Sequence, residues 1–244
     1  MTTYSRTKEF EGASFDRASF RGATIRFSDV SGVTMRGVDL DGLDVDSHDL
    51  FFGKLIVNGV DVVPYVDAEL NRMFPGRELQ KAETPEGLRE GWVAVQQAWA
   101  TTVADTPAEL RDAHVPDEWS LAQTLRHLIL ATDTWLRGAI RGIDQPFHEI
   151  GQIFTGAAEG GFDMTIFRDD APAWDEVLAV RAERQAMVTE FLASVTPEQL
   201  AEEREDPWGG DWNPSVGDCI RVILEEEWAH LRYIRRDLAL LASS

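Results

Sequence analysis

A mainly α fold built on a four-helix bundle is what this sequence predicts, and three observations predict it. Beyond Thr84 the apolar residues recur with the 3.6-residue period of amphipathic helices, in four long stretches with no strand-like alternation between them. Before that point the chain repeats every five residues, a period that neither a helix nor a flat strand explains. Between the two lies an Asn-Gly pair flanked by β-branched residues, the signature of a tight hairpin.

The five-residue period is carried by Phe10, Phe15, Phe20, Ile25, Val30, Met35, Leu40 and Val45, most of them preceded two positions earlier by a smaller residue such as Ala13, Ala18 or Ala23. Units such as Gly12-Ala13-Ser14-Phe15-Asp16 and Arg21-Gly22-Ala23-Thr24-Ile25 resemble a pentapeptide-repeat segment. That resemblance implies a short right-angled β-solenoid, with the large side chains stacked inside and the small ones lining its wall. A stack of roughly two coils would need capping, since repeat proteins are held together by neighbours. Some proteins with such repeats mimic DNA. Here Arg6, Lys8, Arg17, Arg21, Arg26 and Arg36 dilute the acids, so a structural appendage or docking surface is the expectation.

Lys54 to Val63 reads as two short strands around Asn58-Gly59. Pro64 to Met73 then reads as a short helix stopped by Pro75-Gly76. The expected division is therefore 1–76 for the solenoid with its hairpin and short helix, and 85–244 for the bundle. Thr84-Pro85-Glu86 starts the first long helix, whose stripe is Leu88, Trp92, Val95 and Trp99. Ser120 caps a second helix running to about Arg141, with Leu121, Leu125, Leu128 and Trp135 facing inward. A third spans about Ala173 to Ser194, and Thr196 opens a short extra turn. The last runs from Ser215 to Ala242, with Val216, Ile220, Ile223, Ile234 and Leu241 on one side. Two long loops, 142–172 and 206–214, carry glycines and aromatics, and loops this long are usually functional or mobile.

The composition excludes several classes of function. A formal charge of −20 argues against a nucleic-acid partner, which needs a basic footprint, and against an anionic membrane surface. A single cysteine, Cys219, rules out an internal disulfide. With no apolar leader and no long apolar run, a cytoplasmic location is expected.

Chemistry enters where Glu226 and His230 break the apolar side of the last helix. Four residues apart, they stack one above the other, and burying either alone would cost several kcal/mol. His127 stands beside the leucine stripe of the second helix with Thr124, Ala131 and Thr134 around it, which leaves space at the imidazole. Two histidines and a carboxylate suit Zn2+ with a fourth position open, and would also hold Ni2+ or Fe2+. Glu227 is the rival to Glu226 as ligand, being three residues from His230. Glu227, Glu225 or Asp133 could instead orient the imidazoles. His148 in the long loop is a candidate proton carrier, with Glu227 the other candidate base, while His114 and His48 read as surface residues. Trp119, Trp135, Trp208, Trp212 and Trp228 would line an apolar pocket or simply fill the core. Arg232, Arg235 and Arg236 could receive an acidic cosubstrate.

Ser120 to Leu128, followed a hundred residues later by Glu226-Glu227-Trp228-Ala229-His230, resembles the two halves of the DinB-like metalloprotein superfamily over about 85–244. The resemblance implies a four-helix bundle holding a metal between its second and fourth helices. Glu226 stands where many members have histidine, a departure to which the mycothiol-dependent maleylpyruvate isomerase branch, with its His, Glu and His, is similar. It further implies a zinc-dependent thiol S-transferase or isomerase whose partners are a low-molecular-weight thiol such as mycothiol and a small electrophile, and it leaves room for a homodimer. The alternatives are a non-catalytic, metal-stabilised interaction or stress-response protein, and a metal-dependent hydrolase.

Overall fold

The computed structural model describes residues 2–47, 50–154, 157–158 and 162–243, and divides into two compact units, residues 1–46 and 47–244. In the first unit the five-residue period becomes a train of turns. Ala13, Ala23, Val33 and Leu43 each donate their N–H to the carbonyl three residues back, at 2.9–3.2 Å. Gly12, Gly22, Gly32 and Gly42 sit at the third turn position with φ of 72–76°, where a type II turn needs the left-handed backbone that glycine adopts freely. No strand is assigned among the described residues of this unit. The repeat side chains do touch, Phe15 lying 5.9 Å from Phe10 and 5.1 Å from Phe20 between ring centroids. They are not enclosed, as the expectation of an internal stack required: Phe10, Phe15 and Phe20 keep 45%, 53% and 56% of their surface.

The second unit opens with the hairpin, β1 (Ile56–Val57) and β2 (Val60–Asp61), antiparallel with Val57 opposite Val60. Asn58 and Gly59 both have positive φ, as a two-residue turn between twisted strands demands. Helix α1 (Val63–Met73) follows with Pro64 in its first turn. Contrary to the division expected near residue 76, hairpin and α1 group with the helices that follow. The reason is packing. Phe74 enters the main core 6.4 Å from Trp228, and buried Arg77 ties back to Asp67 at 2.8 Å and Asn71 at 2.6 Å.

The bundle is α2 (Pro85–Asp105), α3 (Leu121–Thr132), α4 (Trp174–Ser194) and α6 (Val216–Ala242), with α5 (Pro197–Leu200) as a single extra turn. Each long stripe forms for a local reason and is then buried. Thr84 caps α2, and Leu88, Trp92, Val95 and Trp99 all lie in the core. Ser120 and Ser215 close reciprocal capping boxes on α3 and α6 through Gln123 and Asp218. Along α6 the expected inward residues Val216, Ile220, Ile223 and Ile234 are buried, whereas Leu241 is only partly covered. Helix α3 packs against α4 and α6, and α2 packs against the same two, so α3 and α6 are neighbours.

The second helix does not run on as one α-helix to Arg141. After Thr132 it widens into a π-helix over Asp133–Ile140. Thr132 and Thr134 hydroxyls donate to the carbonyls of Leu128 and Leu130 at 3.0 and 2.9 Å, competing with the regular ladder there. Asp133, wholly buried, is held by Arg184 at 2.8 Å and by the His148 N–H at 2.8 Å.

Candidate metal centre

Three side chains from the neighbouring helices α3 and α6 converge. His127 Nε2 lies 3.4 Å from Glu226 Oε2, and His230 Nδ1 lies 3.2 Å from the same oxygen. One ligand atom from each of His127, Glu226 and His230 fits within a 4.8 Å span, and the two rings are 4.7 Å apart. Helical spacing makes this possible: Glu226 and His230 share one face of α6, four residues apart.

The tautomers follow from acceptors that cannot donate. His127 Nδ1 is 3.0 Å from the carbonyl of Gln152, and His230 Nδ1 is 2.9 Å from the carbonyl of Glu226, one turn back on its own helix. A carbonyl only accepts, so each Nδ1 carries a proton, while His127 Nε2 faces the Glu226 carboxylate, a second acceptor that an ion would displace. All three side chains are partly covered. Burial alone would push the Glu226 carboxyl up, but hydrogen bonds and charge from His127 and His230 outweigh it and hold the group well below the usual carboxylate range. Burial would lower His230, and its bonds to Glu226 instead raise it.

The geometry fits a divalent cation on its own terms. Tetrahedral coordination with bonds of about 2.0–2.1 Å sets neighbouring donors about 3.3 Å apart, close to the 3.4 Å between His127 Nε2 and Glu226 Oε2. Against this trio lies the Trp119 indole, 4.7 Å from His127 and stacked on His230 at 6.0 Å, with Tyr233 edge-on to His230 at 5.6 Å.

Other expectations are corrected. Glu227 lies outside the His127, Glu226 and His230 cluster, although its charge reaches His230 and helps to raise it. Its carboxylate turns into the bundle and pairs with Arg181, both being almost wholly buried. Asp133 holds Arg184, Arg137 and a backbone N–H instead of an imidazole. Glu225, raised by burial and by neighbouring Glu226, is offset by the charges of Arg221, Lys81 and Arg77. His148 accepts from the Ile150 N–H at 3.3 Å and makes no contact with the trio among the described residues. The residue of that loop that reaches His127 is Gln152, and it does so through its backbone, so no side-chain signal marks it in the sequence. Of the tryptophans, Trp119 is at the site, Trp228 lies in the core, and Trp208 and Trp212 are exposed. Arg235 turns to Thr102 on α2 at 3.0 Å, while Arg232 and Arg236 lie over Tyr233. His114 is exposed as expected, and His48 lies outside the described residues. Cys219 is buried, and burial pushes its thiol up to about 12. Among the described residues no helix is long and apolar enough to cross a membrane.

Comparison with known families agrees with this architecture. Residues 87–234 match the DinB superfamily, and residues 9–42 match pentapeptide repeats in eight copies. Comparisons with curated proteins and with solved structures gave no match. With its bundle so matched over more than half its length, the chain belongs to the DinB superfamily, many of whose members bind metal.

Proposed function

We propose that this protein is a divalent-metal-dependent thiol S-transferase, with His127, Glu226 and His230 holding the ion. The observation that carries the reading is the convergence of these three donors from two neighbouring helices. Zinc suits the set best, and Ni2+ or Fe2+ would also be accepted by it. When bound, such an ion supplies positive charge that favours the deprotonated form of a thiol and polarises an electrophile.

The chain's own residues narrow the chemistry. Its one thiol, Cys219, is buried and hard to ionise, so the sulfur nucleophile must come from a cosubstrate. A low-molecular-weight thiol such as mycothiol fits this requirement, with a small electrophile as its partner. Trp119 and Tyr233 give the site an aromatic wall that excludes water from one side. The rival reading, metal-dependent hydrolysis, needs a free general base, and Glu227 is committed to Arg181.

Metal analysis of the purified chain, followed by a thiol screen against a reactive aryl halide, tests the proposal. We expect about one ion per chain, together with thiol-dependent turnover that His230→Ala abolishes. A chain that takes up no divalent metal overturns the metal reading. A metal-loaded chain with no thiol dependence overturns the transferase reading and favours a structural ion.

A further inference from the structure

The loop that reaches His127 is fastened to the residue beside it. Arg126 Nε donates to the Ile150 carbonyl at 2.7 Å, the Gln152 N–H donates to the Arg126 carbonyl at 3.2 Å, and His127 Nδ1 donates to the Gln152 carbonyl at 3.0 Å. Three hydrogen bonds thus join two consecutive positions of α3 to residues 150–152. Between the two fastened residues, Gly151 leaves no slack: a Cβ there would meet the His148 carbonyl and the Phe167 ring, each at 3.2 Å. Ile150 is completely buried. The guanidinium is half-buried at this spot.

We infer that Arg126 is a positioning residue for the candidate metal ligand His127, acting through the backbone of residues 150–152. The inference rests on the metal reading for its functional meaning, but its physical content is the tautomer of one imidazole. The acceptor that draws the proton to Nδ1, against the pull of the Glu226 carboxylate on Nε2, is a main-chain carbonyl. Where that carbonyl sits depends on the path of the loop, and beside His127 itself Arg126 is a side chain of α3 that ties this path. Partners of this kind, one step beyond the ligands, typically change metal affinity about 10–100-fold when removed.

Two measurements on the full chain separate the inference from the reading beneath it. Imidazole 15N spectra of the metal-free protein at alkaline pH read the His127 tautomer directly. The wild type should show the Nδ1–H form, Arg126→Ala a mixture of forms, and Arg126→Lys a return toward the wild-type pattern through a bond from its ammonium group. An unchanged tautomer in Arg126→Ala overturns the inference, whatever the metal result. Titration with Co2+, followed by ligand-field absorption, then asks about the ion. Weakening of about 10-fold with an altered spectrum in Arg126→Ala supports the positioning role. Equal affinity and an identical spectrum overturn it. A wild type that binds no Co2+, with the tautomer still responsive to Arg126, overturns the metal reading and leaves the positioning of His127 standing.

Discussion

Glu226 Oε2 stands 3.4 Å from His127 Nε2, a contact between side chains on two neighbouring helices of the bundle. Without an ion, the carboxylate faces both rings. With an ion, a carboxylate oxygen and one unprotonated nitrogen of each ring would become its donors. The two roles use one geometry, so substitutions here should act on metal content far more than on folding. His127→Ala, Glu226→Gln and His230→Ala should each weaken metal binding by at least ~100-fold. His114→Ala, at an exposed position, should leave it unchanged. Elemental analysis after dialysis against a weak chelator reads the difference.

The adjacent carboxylate should behave in the opposite way. Glu227 and Arg181 form an ion pair at 1% and 3% exposure, where neither charge has water to fall back on. Removing one partner by Glu227→Leu should cost about 3–5 kcal/mol in urea unfolding. The double substitution Arg181→Met with Glu227→Leu should recover most of that loss, because an apolar pair of similar volume avoids the desolvation penalty. Metal affinity of the double variant should match wild type, which would distinguish Glu227 from Glu226 in a single experiment.

Cys219 should be silent in the native chain. Burial raises its thiol to about 12, so the reactive thiolate is scarce near neutral pH and is shielded as well. Ellman's reagent should report no thiol under native conditions and one per chain in 6 M guanidinium, matching the single cysteine of the sequence. Rapid native labelling would show that the core around α6 opens readily.

At the start of α6, Asp218 closes the capping box with Ser215 and pairs with Arg221 at 2.5 Å. Burial pushes its carboxyl up, but the bonds from Ser215 and Arg221 win and lower it. A carboxyl depressed in the folded state gives stability that is complete above its unfolded value, about 3.9, and is lost as pH falls through the folded value. The difference in unfolding free energy between wild type and Asp218→Asn should therefore be flat above about pH 4.5 and shrink in more acidic solution. Chemical denaturation at a series of pH values checks the sign.

The elements were legible from short-range pattern alone. Periodicity placed Leu88, Trp92, Val95 and Trp99 in a core, Asn58-Gly59 at a hairpin turn, and Ser120 and Ser215 as caps, because each of these is a local preference written within a few residues. The pairing of Glu226 with His230 was legible for the same reason. Tertiary structure decided everything that depends on which face meets which. It sent Glu227 to Arg181, a partner far away in the sequence, and so separated two neighbouring carboxylates into different roles. It joined the hairpin and α1 to the bundle through Phe74 and Arg77. It brought the Gln152 carbonyl to His127, although backbone atoms are the same at every position and leave no trace in a residue's identity. Widening of the second helix at Asp133 belongs here too, since the buried guanidinium that holds that carboxylate comes from α4. Local spacing puts a residue on a face, and only packing decides what that face meets.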